Sequence, residues 1–156
     1  MNYNNNYQGF KKKYINNCSN YNFQGQKSEE KHLDEKYKIK TYSDNGKINA
    51  NLINEQAKEL AEEFSKQKLA NTQLRNFYGE CLAYKDMEYE DLKIRLILLK
   101  AKLAYTKGRS AITQSFYEFM ENRINCIKSK KDFEFFLMHF MTIIGYFKYF
   151  TKDKNK

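Results

Sequence analysis

The chain reads as an all-α protein: a compact bundle of about five helices with a disordered N-terminal extension. From about residue 49 onward, apolar residues recur at the three- and four-residue spacing of helices in five successive stretches. Short polar breaks separate the stretches, and no alternating strand pattern competes with them. Elements of this length joined by short loops pack as a helical bundle. The expected organisation is an extension over 1–48, a helical domain over 49–151 and a basic tail over 152–156.

The extension opens with eight Asn and four Tyr in residues 1–25, around Lys11-Lys12-Lys13. So polar a stretch buries too little surface to offset its chain entropy, and disorder is expected. Tyr and Lys of this kind can stack on and neutralise single-stranded nucleic acid. A dangling extension is nevertheless the expectation here. Residues 26–48 are charged and weakly patterned, and are assigned to the same extension.

The first helix is expected to begin at Asn49 or Asn51, with Ile53, Ala57, Leu60, Ala61 and Phe64 on its buried face. Its acids, Glu55, Glu59, Glu62 and Glu63, make it a poor surface for RNA. The second is expected from Asn71 or Thr72 to about Asp86, burying Leu74, Phe77, Tyr78, Cys81 and Leu82. Arg75 stands in its first turn, where a cation opposes the helix dipole. So mild a local conflict points either to a functional position or to a solvated Arg on a helix flank.

The third helix carries the densest aliphatic run. Leu92, Leu96, Leu99 and Leu103 form one ridge; Ile94, Leu98, Ala101 and Tyr105 form another nearly opposite. Two apolar strips predict a central helix packed on both sides. No Asp or Glu occurs between Asp91 and Glu118. Lys93, Lys100 and Lys107 are spaced by seven, and so are Arg95, Lys102 and Arg109, which divides the cations into two rows on opposite flanks. Gly108 suits the position just beyond the helix end.

The fourth helix is expected after Ser110, with Ile112, Phe116, Phe119 or Met120, Ile124 and Ile127 inward, and with the Arg123 stem buried but its head emerging. Lys128 to Lys131 reads as a polar turn. The fifth opens at Asp132 and is apolar nearly all round. It approaches membrane-spanning length, but Glu134, His139 and Lys148 favour a buried bundle helix, with His139 a satisfied core or boundary residue.

Lys and Arg outnumber Asp and Glu by 28 to 19, which points to an anionic partner. The richness in Asn, Lys, Tyr, Ile and Phe is what AT-rich coding produces. The four arginines, Arg75, Arg95, Arg109 and Arg123, therefore weigh more than the lysines. Three widely spaced cysteines form neither a disulfide framework nor a zinc motif, and no leader-type apolar region begins the chain. The expected setting is reduced and cytoplasmic, with no membrane association. No residues have the spacing of a catalytic constellation, a metal site or a phosphate loop. The expectation is a protein that is not an enzyme and uses no cofactor.

Four segments in order, Thr72-Gln-Leu-Arg75-Asn-Phe77, Leu99-Lys-Ala-Lys-Leu-Ala-Tyr-Thr-Lys-Gly-Arg109, Asp132-Phe-Glu-Phe-Phe136 and Gly145-Tyr-Phe-Lys-Tyr-Phe150, resemble the small subunit of the type III-A CRISPR effector, the Csm complex. The resemblance spans about residues 70–150. It departs at Phe147, where the family often has His, and in a tail without Gly-Gly-Lys. It implies a non-catalytic helical subunit present in several copies, stacked along the crRNA–target RNA duplex. Its partners would be the RNA backbone, other Csm subunits and copies of itself. The matching cations are Arg75, Lys100, Lys102, Arg109 and Lys148. The residue-level reading favours Arg75, Lys102 and Arg109 first, and spacing adds Arg95 and Lys93; the Arg95/Lys102/Arg109 row joined by Arg75 is the expected RNA face, with the Lys93/Lys100/Lys107 row solvated, on a partner subunit or on a second stretch of nucleic acid. The alternative reading is a helical protein–protein adaptor whose basic central helix binds an acidic partner subunit.

Overall fold

The computed structural model describes residues 30–152. Expectations for Cys18, the Lys11-Lys12-Lys13 triplet and the basic end of the chain lie outside those residues. Five helices form, as the periodicity predicts: α1 Glu55–Lys66, α2 Asn71–Leu82, α3 Tyr89–Gly108, α4 Gln114–Asn125 and α5 Lys130–Lys152. Ahead of them come one 3-10 turn, Glu35–Tyr37, and a hairpin of β1 Ser43–Asp44 and β2 Lys47–Ile48.

That hairpin corrects the expectation of no strands. Asn45 and Gly46 both take positive φ, 50° and 76°. This is the Asn-Gly pairing of a two-residue primed turn, whose twist suits antiparallel strands. Ser43 pairs with Ile48 and Asp44 with Lys47.

The helix ends differ from expectation where other groups satisfy the backbone. Helix α1 starts at Glu55, not at Asn49 or Asn51. There Asn49 Oδ1 instead accepts the Asn51 N–H at 3.0 Å, and the Asn51 carbonyl accepts the Gln56 N–H at 3.1 Å. Helix α2 stops at Leu82 because successive turn bonds, Tyr84 N–H to the Cys81 carbonyl and Lys85 N–H to the Leu82 carbonyl, replace helical ones. Gly108 is the last helical residue of α3. Ser110 takes the left-handed turn at φ 55°, with its N–H on the Lys107 carbonyl and the Ala111 N–H on the Thr106 carbonyl, a Schellman motif. Thr113, not Ser110, caps α4, its Oγ1 accepting the Phe116 N–H at 3.3 Å. Helix α5 begins two residues before Asp132 through a capping box: Asp132 N–H donates to Ser129 Oγ at 3.1 Å, and Asp132 Oδ2 accepts from Ser129 Oγ and Lys128 N–H.

Helix α5, not α3, occupies the centre. It packs against α1 and α2, while α3 packs on α4. Phe64, Phe77, Phe116, Phe119, Phe136 and Phe140, from four helices, meet with ring centroids 5.5–6.3 Å apart. Phe147 is fully buried in the same core. Among the described residues, no helix is long and apolar enough to cross a membrane.

Only one ridge of α3 is packed. Leu92, Leu96, Leu99 and Leu103 are buried, whereas Ile94 is 60%, Ile97 67%, Leu98 54% and Tyr105 64% exposed. The expectation of a helix covered on both sides is therefore wrong for the single chain. Periodicity shows that two strips are apolar; it does not show whether the protein itself supplies both covers.

Residues 30–48, assigned to the extension by composition, fold onto the bundle. Leu33, Tyr37 and Tyr42 insert into the core at 5%, 8% and 0% exposure. Helix α4 holds this strap through three polar residues. Glu118 accepts the Leu33 N–H at 2.8 Å; Asn122 binds both the N–H and the carbonyl of Ile39, at 3.0 and 3.1 Å; the Tyr42 hydroxyl donates to the Arg123 carbonyl at 2.9 Å. The Arg123 head does not emerge. It is buried, donating to the Tyr37 carbonyl at 2.8 Å, Gln56 Oε1 at 2.9 Å and Asn122 Oδ1 at 2.5 Å.

His139 also departs from expectation. It is fully buried, its ring 5.9 Å from that of Phe119, and neither ring nitrogen has a hydrogen-bond partner among the described residues. Burial, reinforced by the Arg123 charge, holds its pKa well below the usual imidazole value.

Candidate nucleic-acid interface

The sequence of α3 fixes where its cations stand. With Leu92, Leu96, Leu99 and Leu103 inward, successive residues turning by about 100° set the two cation rows on opposite sides of that ridge. In the Arg95, Lys102 and Arg109 row, Lys102 faces α2. The Lys102 ammonium pairs with the Glu80 carboxylate and lies 5.9 Å over the Phe77 ring. Gln73, Asn76 and Thr106 complete that groove. Arg95 borders Asp91 and Leu98. Arg109 packs on Tyr105, 5.6 Å from the ring centroid, with Nη1 donating to the hydroxyl at 3.3 Å.

The other row faces α4. Lys93 and Lys100 share a groove of about 290 Å³ with Tyr89, Leu96, Ile97, Asn125 and Lys128. Lys100 donates to Asn125 Oδ1. Lys93 lies 2.5 Å from Glu90 and 5.4 Å over the Tyr89 ring. The Glu90 hydrogen bond raises the Lys93 pKa, keeping the ammonium charged. Lys107 leaves this group, pairing at 2.5 Å with Glu30 at the start of the strap.

Arg75 does not join Lys102. Gln73, Asn76 and Glu80 make the α3-facing side of α2, while Arg75 shares its flank with Tyr78, whose ring meets Phe140 of α5 at 5.5 Å. Lys148 is exposed on α5. The seven candidate cations therefore fall into two groups on α3, with Arg75 and Lys148 elsewhere. Sequence reasoning misses Lys128 and Asn125. Lys128 reads from the sequence as part of a polar turn, and only the α3–α4 packing brings it to Lys93 and Lys100.

The two α3 grooves differ in charge. Three lysines line the α4 side, where Glu90 pairs with one of them, Lys93. The α2 side sets one lysine against one glutamate. Exposed pairs such as Lys93–Glu90 are weak and yield readily to a polyanion.

Catalytic groups do not converge there. Among the described residues, no three or more His, Cys, Asp or Glu are placed to hold a metal ion. Burial pushes the Cys81 and Cys126 thiols up, away from the reactive thiolate.

A family model described as Csm2 Type III-A matches residues 47–153. Neither a curated protein nor a solved structure matches the chain.

Proposed function

The chain belongs to the Csm2 family and is a subunit of a type III-A CRISPR complex, and from that premise we propose that it is a non-catalytic scaffold contacting RNA through its phosphates. In this reading several copies stack along the crRNA–target RNA duplex beside the other Csm subunits. The observation that carries it is the α3–α4 groove, where Lys93, Lys100 and Lys128 converge with the Asn125 amide. Ammonium groups neutralise phosphates and release counterions, giving affinity without sequence selection. Tyr89 at the groove edge offers a ring face, but no base-reading module accompanies it.

Arg95, Lys102 and Arg109 form the second candidate surface, since Glu80 already balances Lys102. Arg75 and Lys148 are independent positions that a wrapped or neighbouring RNA strand would reach. The test is fluorescence anisotropy of the full chain with an RNA oligonucleotide across a salt series. The expected result is a linear fall of log K with log salt. In Lys93→Ala, Lys100→Ala and Lys128→Ala the slope should shrink by about 0.7–0.9 for each phosphate that is no longer neutralised. An unchanged slope in the triple variant contradicts the assignment.

A further inference from the structure

The outward face of α3 carries four of the eight large apolar residues left exposed among the described residues. Ile94, Leu98, Ala101 and Tyr105 repeat at i, i+4, i+7 and i+11, the same spacing as the buried ridge Leu92, Leu96, Leu99 and Leu103. Ile97 broadens the strip to an arc of about 100°, the width that helices ordinarily bury. Ile94, Ile97, Leu98 and Tyr105 each leave more than half their surface exposed. A contiguous apolar patch of this kind marks an interaction site. Ala101 and Gly108, seven residues apart on the strip, leave room for a second helix to approach closely.

Charge selects the occupant. Arg95, Lys102 and Arg109 run along one border of the strip, Lys93 and Lys100 along the other. A second copy presenting this same face would set cation rows against cation rows. Nor do the described residues offer a complement elsewhere. The acidic helix, α1, has none of the large exposed apolar residues, which lie at Leu82 and on α3 and α5. Residues 1–29 hold four Lys against one Glu, so they repeat the basic charge.

We infer that the outer face of α3 docks an amphipathic helix of a different protein, one whose apolar ridge is bordered by Asp and Glu. The ridge fills the Ile94–Leu98–Ala101–Tyr105 seam, and the acids meet Arg95, Lys102 and Arg109, on the side away from the Lys93–Lys100–Lys128 groove. Carboxylates flanking an apolar seam set partner and register in the way e and g residues do in coiled coils. This goes beyond the RNA reading, because the seam is apolar and Ile94, Leu98 and Ala101 take no part in phosphate binding.

The test uses the full chain with three probes. These are a synthetic helical peptide with Leu at i, i+4, i+7 and i+11 bordered by Glu, its twin with Lys for every Glu, and vesicles of anionic phosphatidylglycerol in phosphatidylcholine. The Glu peptide should bind at least tenfold more tightly than the Lys twin and in preference to the vesicles. Ile94→Ser/Leu98→Ser, which adds no charge beside the cations, should abolish that binding while leaving the melting temperature and the RNA affinity of the chain unchanged. Equal binding of the two peptides, or unchanged Glu-peptide binding by the variant, overturns the proposal. Preferential vesicle binding that disappears in the variant assigns the face to a lipid surface instead. Concentration-dependent dimerisation that disappears in the variant assigns it to a second copy. Loss of RNA affinity in Lys93→Ala/Lys100→Ala/Lys128→Ala is read separately, so failure of one proposal leaves the other standing.

Discussion

Arg123 keeps a full positive charge inside the protein with three neutral oxygens as its hydrogen-bond partners and the Phe119 ring 4.9 Å away. Burial pulls its pKa down to about 10, so it stays protonated at neutral pH. Its hydrogen bonds link α4 to the strap and to Gln56 of α1. Arg123→Met leaves the Tyr37 carbonyl and Gln56 without their donor, at an expected cost on the order of 2–3 kcal/mol. Denaturant unfolding measures that loss, and hydrogen exchange should quicken across residues 30–48. His139 makes a second residue-scale prediction. Its folded pKa lies below its unfolded value, so the unfolded chain takes up a proton that the folded chain refuses. Stability is then constant in this respect above about pH 6.5 and falls below it by about 1.4 kcal/mol per pH unit. The lowered carboxylates Glu59, Glu63 and Glu118 act in the same direction only below their ordinary range, under about pH 4.5. Between these limits the acid slope should be absent in His139→Phe; a variant with the wild-type slope would contradict this assignment.

The elements show where sequence reading succeeds and where it stops. The five helices are legible because each has a face of buried residues at helical spacing, as in Ala57, Leu60, Ala61 and Phe64. The strap is not, because Leu33, Tyr37 and Tyr42 are isolated anchors among charged residues, and their partners Glu118, Asn122 and Arg123 lie far along the chain on α4. The hairpin carries a local signal, Asn45-Gly46, in strands too short to show alternation. For α3 the two apolar strips are legible but their fates are not. Leu99→Ala on the buried ridge should cost about 2–5 kcal/mol, whereas Leu98→Ala on the exposed strip should stay within about 0.5 kcal/mol, as read by thermal melts of the isolated chain. The Schellman turns add a further case. Lys68 and Ser110 hold φ values of 59° and 55°, which glycine adopts without its side chain opposing the turn. Lys68→Gly and Ser110→Gly should each raise the stability measured in the same melts by about 0.5–1 kcal/mol, a reversal of the loss usual for glycine in a helix.

For the whole molecule, α5 forms the centre and α3 a basic, half-uncovered edge. The division of the α3 cations into two rows is legible in the sequence. Packing adds that one row joins Lys128 in a groove of three lysines with Glu90 on one of them, while the other sets Lys102 against Glu80. It also separates Arg75 from Lys102, because helical spacing alone does not say which flank of α2 turns toward α3. The family match covers the bundle but begins after the strap residues Leu33, Tyr37 and Tyr42, so the proposed RNA groove lies wholly within the matched part. The most direct test reverses each row separately within the assembled complex and measures affinity for target RNA. Lys93→Glu/Lys100→Glu/Lys128→Glu should weaken RNA binding at least tenfold and flatten its salt dependence, with Arg95→Glu/Lys102→Glu/Arg109→Glu causing the smaller loss. Equal losses would contradict the division between the grooves, and wild-type affinity in both variants would contradict RNA binding through α3.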